Sequence, residues 1–186
     1  MIDRRHFVTG LFAAGGAALA TPAISQVASL SGRKVGSDRI WMRRNGLSEE
    51  ISIRLRHDTV PEAQAALGEL SWFFRDWKDR DRAIWIDPDL IHLLAGIQVQ
   101  SSRDHGSERC MILTSGYRTP ERNATIEGAA LNSFHLRGKA ADILVSGFRP
   151  RHVKNYARNS GAGGVGLYTS SGFTHVDTGP RRNWGS

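Results

Sequence analysis

Three side chains of this 186-residue sequence are of the types, and in the settings, that hold a catalytic metal. His135 lies in Ser133-Phe-His-Leu-Arg-Gly138, Asp142 in Lys139-Ala-Ala-Asp-Ile143, and His175 in Phe173-Thr-His-Val-Asp177. Two imidazoles and a carboxylate, with a fourth position open to water, form a catalytic-zinc ligand set. An ion held this way acidifies its bound water and polarises a carbonyl, which is metal-assisted hydrolysis. His and Asp ligands around an open position suit zinc best among the common metals. Asp142 also stands in an apolar run, where a carboxylate is costly unless it is paired or bound to a cation.

The surrounding sequence supplies the elements that must bring these groups together. Gly138 permits a tight turn after His135. The chain then enters a strand on which Ala140, Asp142 and Leu144 share one face, while Ile143 and Val145 build core on the other. Phe173, His175 and Asp177 share a face of a second strand, so the three ligands converge if the two strands are neighbours. Upstream, Ile40 and Met42, then Ile51, Ile53 and Leu55, flank Asn45-Gly46 in the pattern of a β-hairpin. Apolar spacing from Glu62 to Trp77 predicts a helix, and a second opens at Asp87-Pro88, an N-cap followed by proline. Residues 110–115 and 139–145 read as strands and 149–159 as a helix. Residues 165–168 and 173–178 form a second hairpin around Ser170-Ser-Gly172. Residues 116–134 read mostly as loop, the segment from Thr119 to Phe134 forming one wall of a cleft. Helices first, then a small mostly antiparallel sheet, is an α+β plan.

Several short motifs occur in a fixed order: Ser115-Gly-Tyr-Arg118; Asn132-Ser-x-His135-x-x-Gly138-x-Ala140-x-Asp142; Gly163-Gly-Val-Gly-x-Tyr168; His175-Val-Asp-Thr-Gly179; and Arg182-x-Trp184. This series resembles the MepK (YcbK-like) murein endopeptidases, grouped with the D-Ala-D-Ala metallopeptidases and, more distantly, lysostaphin-type peptidases and the hedgehog signalling domain. The resemblance spans roughly residues 40–186 and is densest from 113 to 184. It implies an α+β fold with a small sheet carrying the metal site against helices. It implies one Zn2+ bound by His135, Asp142 and His175, and a peptidase that cuts cross-links or stem peptides of bacterial peptidoglycan with metal-activated water.

In several such relatives the general base is a Glu three positions, or a His two positions, before the last zinc ligand. Gly172 and Phe173 occupy those positions here and neither can take a proton. Asp177 is the nearest candidate base, or else the group that orients a ligand histidine. Arg118 matches the family arginine that faces substrate, where it would stabilise an oxyanion or bind a carboxylate; otherwise it braces its own loop. Ser133 and Asn132 would bind substrate backbone or support the turn. Tyr168 and Trp184 read as packing. A zinc- and peptidoglycan-binding protein without turnover is the alternative on the same fold.

Bulk composition fits one soluble domain. Hydrophobic residues make up 40% and charged residues 23%, which excludes a disordered chain. The net charge of +7 favours polyanionic partners. Neither an internal repeat nor a nucleic-acid-binding motif is present, and no nucleic-acid partner is expected. The single cysteine, Cys110, excludes an internal disulfide and reads as core. Residues 1–20 place Arg4 and Arg5 before a short apolar stretch and resemble a twin-arginine export signal, with residues 21–38 as a flexible lead-in to one metallopeptidase domain over 39–186. Export by that or the general machinery to the periplasm is expected, with peptidoglycan as partner and no stable membrane span after cleavage.

Overall fold

The structure, a computed structural model, describes residues 38–185. The export signal and nearly all of the lead-in lie outside the described residues. Seven strands form one sheet in the order β2-β1-β3-β4-β6-β5-β7. The strands are β1 (Arg39–Arg44), β2 (Glu50–Arg54), β3 (Met111–Ser115), β4 (Ala140–Val145), β5 (Gly164–Tyr168), β6 (Phe173–Asp177) and β7 (Arg182–Trp184). Among the described residues four α-helices accompany them: α1 (Val60–Phe73), α2 (Pro88–His105), the short α3 (Pro120–Ala124) and α4 (Pro150–Asn159). The α+β class stands, but the sheet is larger than expected and mixed. β1 pairs with β3, and β5 with β7, in parallel. Parallel partners need connections that leave the sheet and return, a long-range feature that strand periodicity does not carry.

The core lies between one sheet face and α1, α2 and α4. Met42, Met111, Ile143, Val145 and Val176 meet Leu70, Leu90, Leu94, Ile97, Val153 and Ala157 there. Cys110 is buried at its margin. Asp87 caps α2 by accepting from the Asp89 amide at 3.0 Å, and the Asn45-Gly46 turn joins β1 to β2 with Gly46 at φ +76°. α1 ends at Phe73 rather than near Trp77 because the next residues are committed to ion pairs. Arg75 binds Glu49 and Asp81, and Asp76 binds Arg122 at 3.0 Å.

The opposite face of β4 and β6 carries Asp142, His175 and Asp177. Alternation makes this possible: Ala141, Ile143 and Val145 enter the core, so Asp142 points away from it. The two strands are antiparallel neighbours, with Asp142 directly opposite His175 and Ala140 opposite Asp177. The stretch expected to be loop contains α3, which Thr119 caps by accepting from the Arg122 amide at 3.2 Å. A 3-10 turn over Phe134–Arg137 then leads into β4. No helix among the described residues is long and apolar enough to cross a membrane.

Candidate metal centre

His135 is delivered by the 3-10 turn. Ser133 caps the turn, its hydroxyl accepting from the His135 amide at 3.3 Å. Gly138 closes it at φ +64°, where a Cβ would also sit 2.8 Å from the Trp85 carbonyl oxygen, so a side chain is excluded twice over. His135 is 1% exposed, Asp142 3% and His175 8%. His135 Nε2, His175 Nδ1 and Asp142 Oδ1 form a triangle with sides of 3.2, 3.3 and 2.9 Å. Tetrahedral zinc with bonds of about 2.0–2.1 Å sets its ligand atoms roughly 3.3 Å apart, so the triangle fits that ion.

The outer partners of the two imidazoles suit the triangle to a cation. His135 Nδ1 lies 2.6 Å from the Gly116 carbonyl oxygen. That oxygen can only accept, so the proton sits on Nδ1 and Nε2 keeps its lone pair. His175 Nε2 lies 2.8 Å from Asp177 Oδ2, which leaves the Nδ1 lone pair facing inward. With both rings neutral, three electron pairs meet with no hydrogen among them, an arrangement that a proton or a metal must relieve.

The titration tendencies agree. Burial, the largest influence, pushes the His135 imidazolium below its ordinary value. For Asp142 burial works upward but is outweighed by His135 and His175, which hold the carboxyl well below the carboxylate range. For His175 burial works downward but is outweighed by Asp142 and Asp177, so its affinity for a positive charge is raised. A proton and a metal would compete for that same Nδ1 lone pair.

Outer hydrogen bonds fix these side chains. Arg118 donates from Nη2 to Asp142 Oδ2 and from Nε to the Ser115 hydroxyl at 2.9 Å. Asp177 is fully buried. Its Oδ1 accepts from the amides of Gly164 at 3.0 Å and Gly179 at 2.8 Å and from Arg182 Nη1 at 3.1 Å. Its Oδ2 accepts from His175 Nε2 and from Arg182 Nη2 at 2.6 Å. Burial works to raise this carboxyl, but the His175 hydrogen bond, the Gly179 amide and Arg182 hold it below its ordinary value. Gly164 makes room for it, since a Cβ there would collide with the carboxylate.

The three side chains open onto a cleft of about 690 Å³. One wall runs from Ile126 to Phe134; the other carries Tyr168, Phe173 and Trp184. Tyr168 stacks on Phe173 with ring centroids 4.5 Å apart, and the Trp184 indole lies 5.1 Å from the His175 ring. Asp177 is absent from the lining, which holds two carboxylates, Asp142 and Glu127.

A sequence model of the peptidoglycan L,D-endopeptidase MepK family matches residues 40–184, a span that contains the whole site. This chain belongs to that family. It is 32% identical over 186 residues to the peptidoglycan L,D-endopeptidase MepK of Escherichia coli, covering 97% of this chain and 96% of the relative. It is 36% identical over 124 residues, 64% of each chain, to the probable peptidoglycan L,D-endopeptidase MepK of Haemophilus influenzae.

Within this MepK-family chain the structure brings His135, Asp142, His175 and Arg118 into direct contact and puts Asn132 and Ser133 on the cleft rim. It puts Asp177 behind His175, on the side away from His135 and Asp142. His105 and His152 are exposed, His57 is half-buried, and His92 is buried within α2; none lines the cleft. Sequence reading undervalued Arg182, which lies between the rings of Phe134 and Trp184 at 4.9 and 5.2 Å while holding Asp177. It also read Tyr168 and Trp184 as packing, whereas both border the cleft. Two cues were available: Gly164 and Gly166 alternate on β5, so strand pairing leaves space on the site face for a carboxylate and an indole.

Proposed function

We propose that this protein is a zinc-dependent peptidase of the cell envelope that hydrolyses peptide cross-links of peptidoglycan. The carrying observation is the meeting of three proton-free electron-pair donors, His135 Nε2, His175 Nδ1 and Asp142 Oδ1, on a cleft floor in a MepK-family chain. Because the relatives are named L,D-endopeptidases, the bond assigned here joins an L-configured to a D-configured centre. Zinc held by His135, Asp142 and His175 would supply a water of lowered pKa and a Lewis acid for the scissile carbonyl.

The chain's own groups do the rest. Arg118 ties up Asp142 Oδ2, leaving Oδ1 to the metal, and lines the cleft, where its guanidinium would suit a developing oxyanion or a substrate carboxylate. Asp177 is assigned a positioning role: it fixes the His175 tautomer and cannot reach a water on the Nδ1 side, because both its oxygens are already engaged. Ser133 supports the turn that carries His135, and Asn132 is free to meet substrate backbone on the rim. Export by the twin-arginine or general route accounts for the basic, apolar N-terminus and would deliver the enzyme to its polymer.

One observation favours the reading without turnover. Gly172 and Phe173 stand where related enzymes place a base, and Asp177 does not open onto the cleft. Digestion of purified sacculi, read by chromatography of released muropeptides, separates the two. Loss of cross-linked dimers that stops on chelation and in His135→Ala supports the peptidase. Intact dimers, with a wild type that still holds zinc and sediments with sacculi, support the binding protein.

A further inference from the structure

From Ile143 to Val176 the sequence contains no Asp or Glu, yet it contains Arg149, Arg151, Lys154 and Arg158. The fold gathers all four on α4 and its N-cap. At about 100° per residue, Arg151, Lys154 and Arg158 fall within roughly 60° of one another. Val153, Tyr156 and Ala157 take the opposite side and enter the core. The three arginines are exposed and Lys154 is half-buried.

These cations are unmatched. Arg44, Arg75, Arg82, Arg118, Arg122 and Arg182 each bind a carboxylate. Among the described residues none of the four on α4 forms an ion pair. On adjacent α2, Asp104 is engaged by the Tyr156 hydroxyl at 2.7 Å, and the exposed Arg103 adds a further positive charge. Glu108, beyond the end of α2, is the other acidic residue at that margin.

We propose that this face docks on an anionic phospholipid bilayer and turns the cleft outward. α4 covers the core face of β4, β5 and β6, whereas His135, Asp142 and His175 open from the opposite face. The cations line a ten-residue helix about 15 Å long, which suits an extended anionic surface better than one small ion. None of the exposed large hydrophobic side chains, Val60, Leu131 and Tyr168, is on α4, so the contact is adsorption, without insertion. A protein lying this way presents its cleft to the wall polymer above the membrane.

The test compares the full chain with Arg149→Gln/Arg151→Gln/Lys154→Gln/Arg158→Gln, so that the N-terminal segment is common to both. Binding is measured by co-sedimentation with vesicles of phosphatidylcholine and phosphatidylglycerol, about 2:1, and with phosphatidylcholine alone. Each basic residue near an anionic surface strengthens binding about fivefold, so the fourfold variant should bind the anionic vesicles roughly several-hundred-fold more weakly. Wild-type binding should also fall steeply with added salt. Unchanged melting temperature and unchanged cleavage of soluble muropeptides would show that the fold and cleft survive. The double variant Lys154→Gln/Arg158→Gln, which perturbs the helix less, should lose roughly 25-fold. Equal binding by wild type and variants, or equal wild-type binding to neutral vesicles, overturns the proposal. So does a variant that keeps vesicle binding but no longer sediments with sacculi, which would assign the face to the wall polymer.

Discussion

Asp177→Asn separates positioning from proton transfer. The asparagine oxygen, placed as Oδ1 is now, still accepts from the Gly164 and Gly179 amides. Its NH2 then replaces Oδ2 and faces two donors, His175 Nε2–H and Arg182 Nη2. His175 can relieve that clash only by moving its proton to Nδ1, the atom offered to the metal. Loss of such an outer partner weakens metal binding about 10–100-fold, or roughly 1.4–2.7 kcal/mol, and the forced tautomer puts this site toward the upper end. Zinc affinity is measured by competition with a chromophoric chelator, and kcat on cross-linked muropeptides at limiting and saturating zinc. Weakened affinity with kcat restored by excess zinc is expected. A variant that keeps wild-type zinc affinity but loses about 10²–10⁴ in kcat, with no rescue by zinc, would make Asp177 the general base and refute the assignment.

Three further substitutions probe what supports the site. Gly166→Ala would place a Cβ 2.5 Å from Trp184, so overpacking of about 1–3 kcal/mol is expected, read as a melting temperature lower by several degrees and altered Trp fluorescence. Asp76→Asn removes the charge that binds Arg122 and weakens the acceptor for the Thr119 amide at the root of the cleft wall. Its KM should rise several-fold while kcat falls less, and a kcat effect with unchanged KM would contradict that role. The hydrogen bond from Arg75, the largest influence on Glu49, holds its carboxyl below the ordinary value near 4.3. Stability from this partly exposed pair is therefore present above that pH and lost as pH falls through the lower folded value. Glu49→Gln should thus melt below wild type at neutral pH and converge with it once the pH is below the lowered Glu49 value; a constant gap would contradict the linkage.

What the sequence revealed was what local pattern encodes. Alternation along residues 140–145 put Asp142 on one face and the core residues on the other, and the glycine after His135 marked its turn; both features are in the structure. The β5–β6 hairpin was equally readable from Gly172, at φ +78°. β7 was not, because three residues carry too little periodicity and their partner β5 is distant in sequence. α3 was passed over although Thr119-Pro120 is a cap followed by proline, the same signal that marked α2. The environment of Asp177 combines Gly164 on β5 with the turn through Gly179 and Arg182, so spacing relative to His175 alone left its role open.

The central claim is the metal, and metal content tests it most directly. Zinc per chain, determined by elemental mass spectrometry on purified wild type and on Asp142→Ala, should be close to one in the wild type. It should be largely lost in the variant, which keeps both imidazoles but not the carboxylate. A folded wild type without zinc after purification and zinc loading, or an Asp142→Ala protein that retains a full equivalent, would contradict the assignment of His135, Asp142 and His175 as a zinc centre.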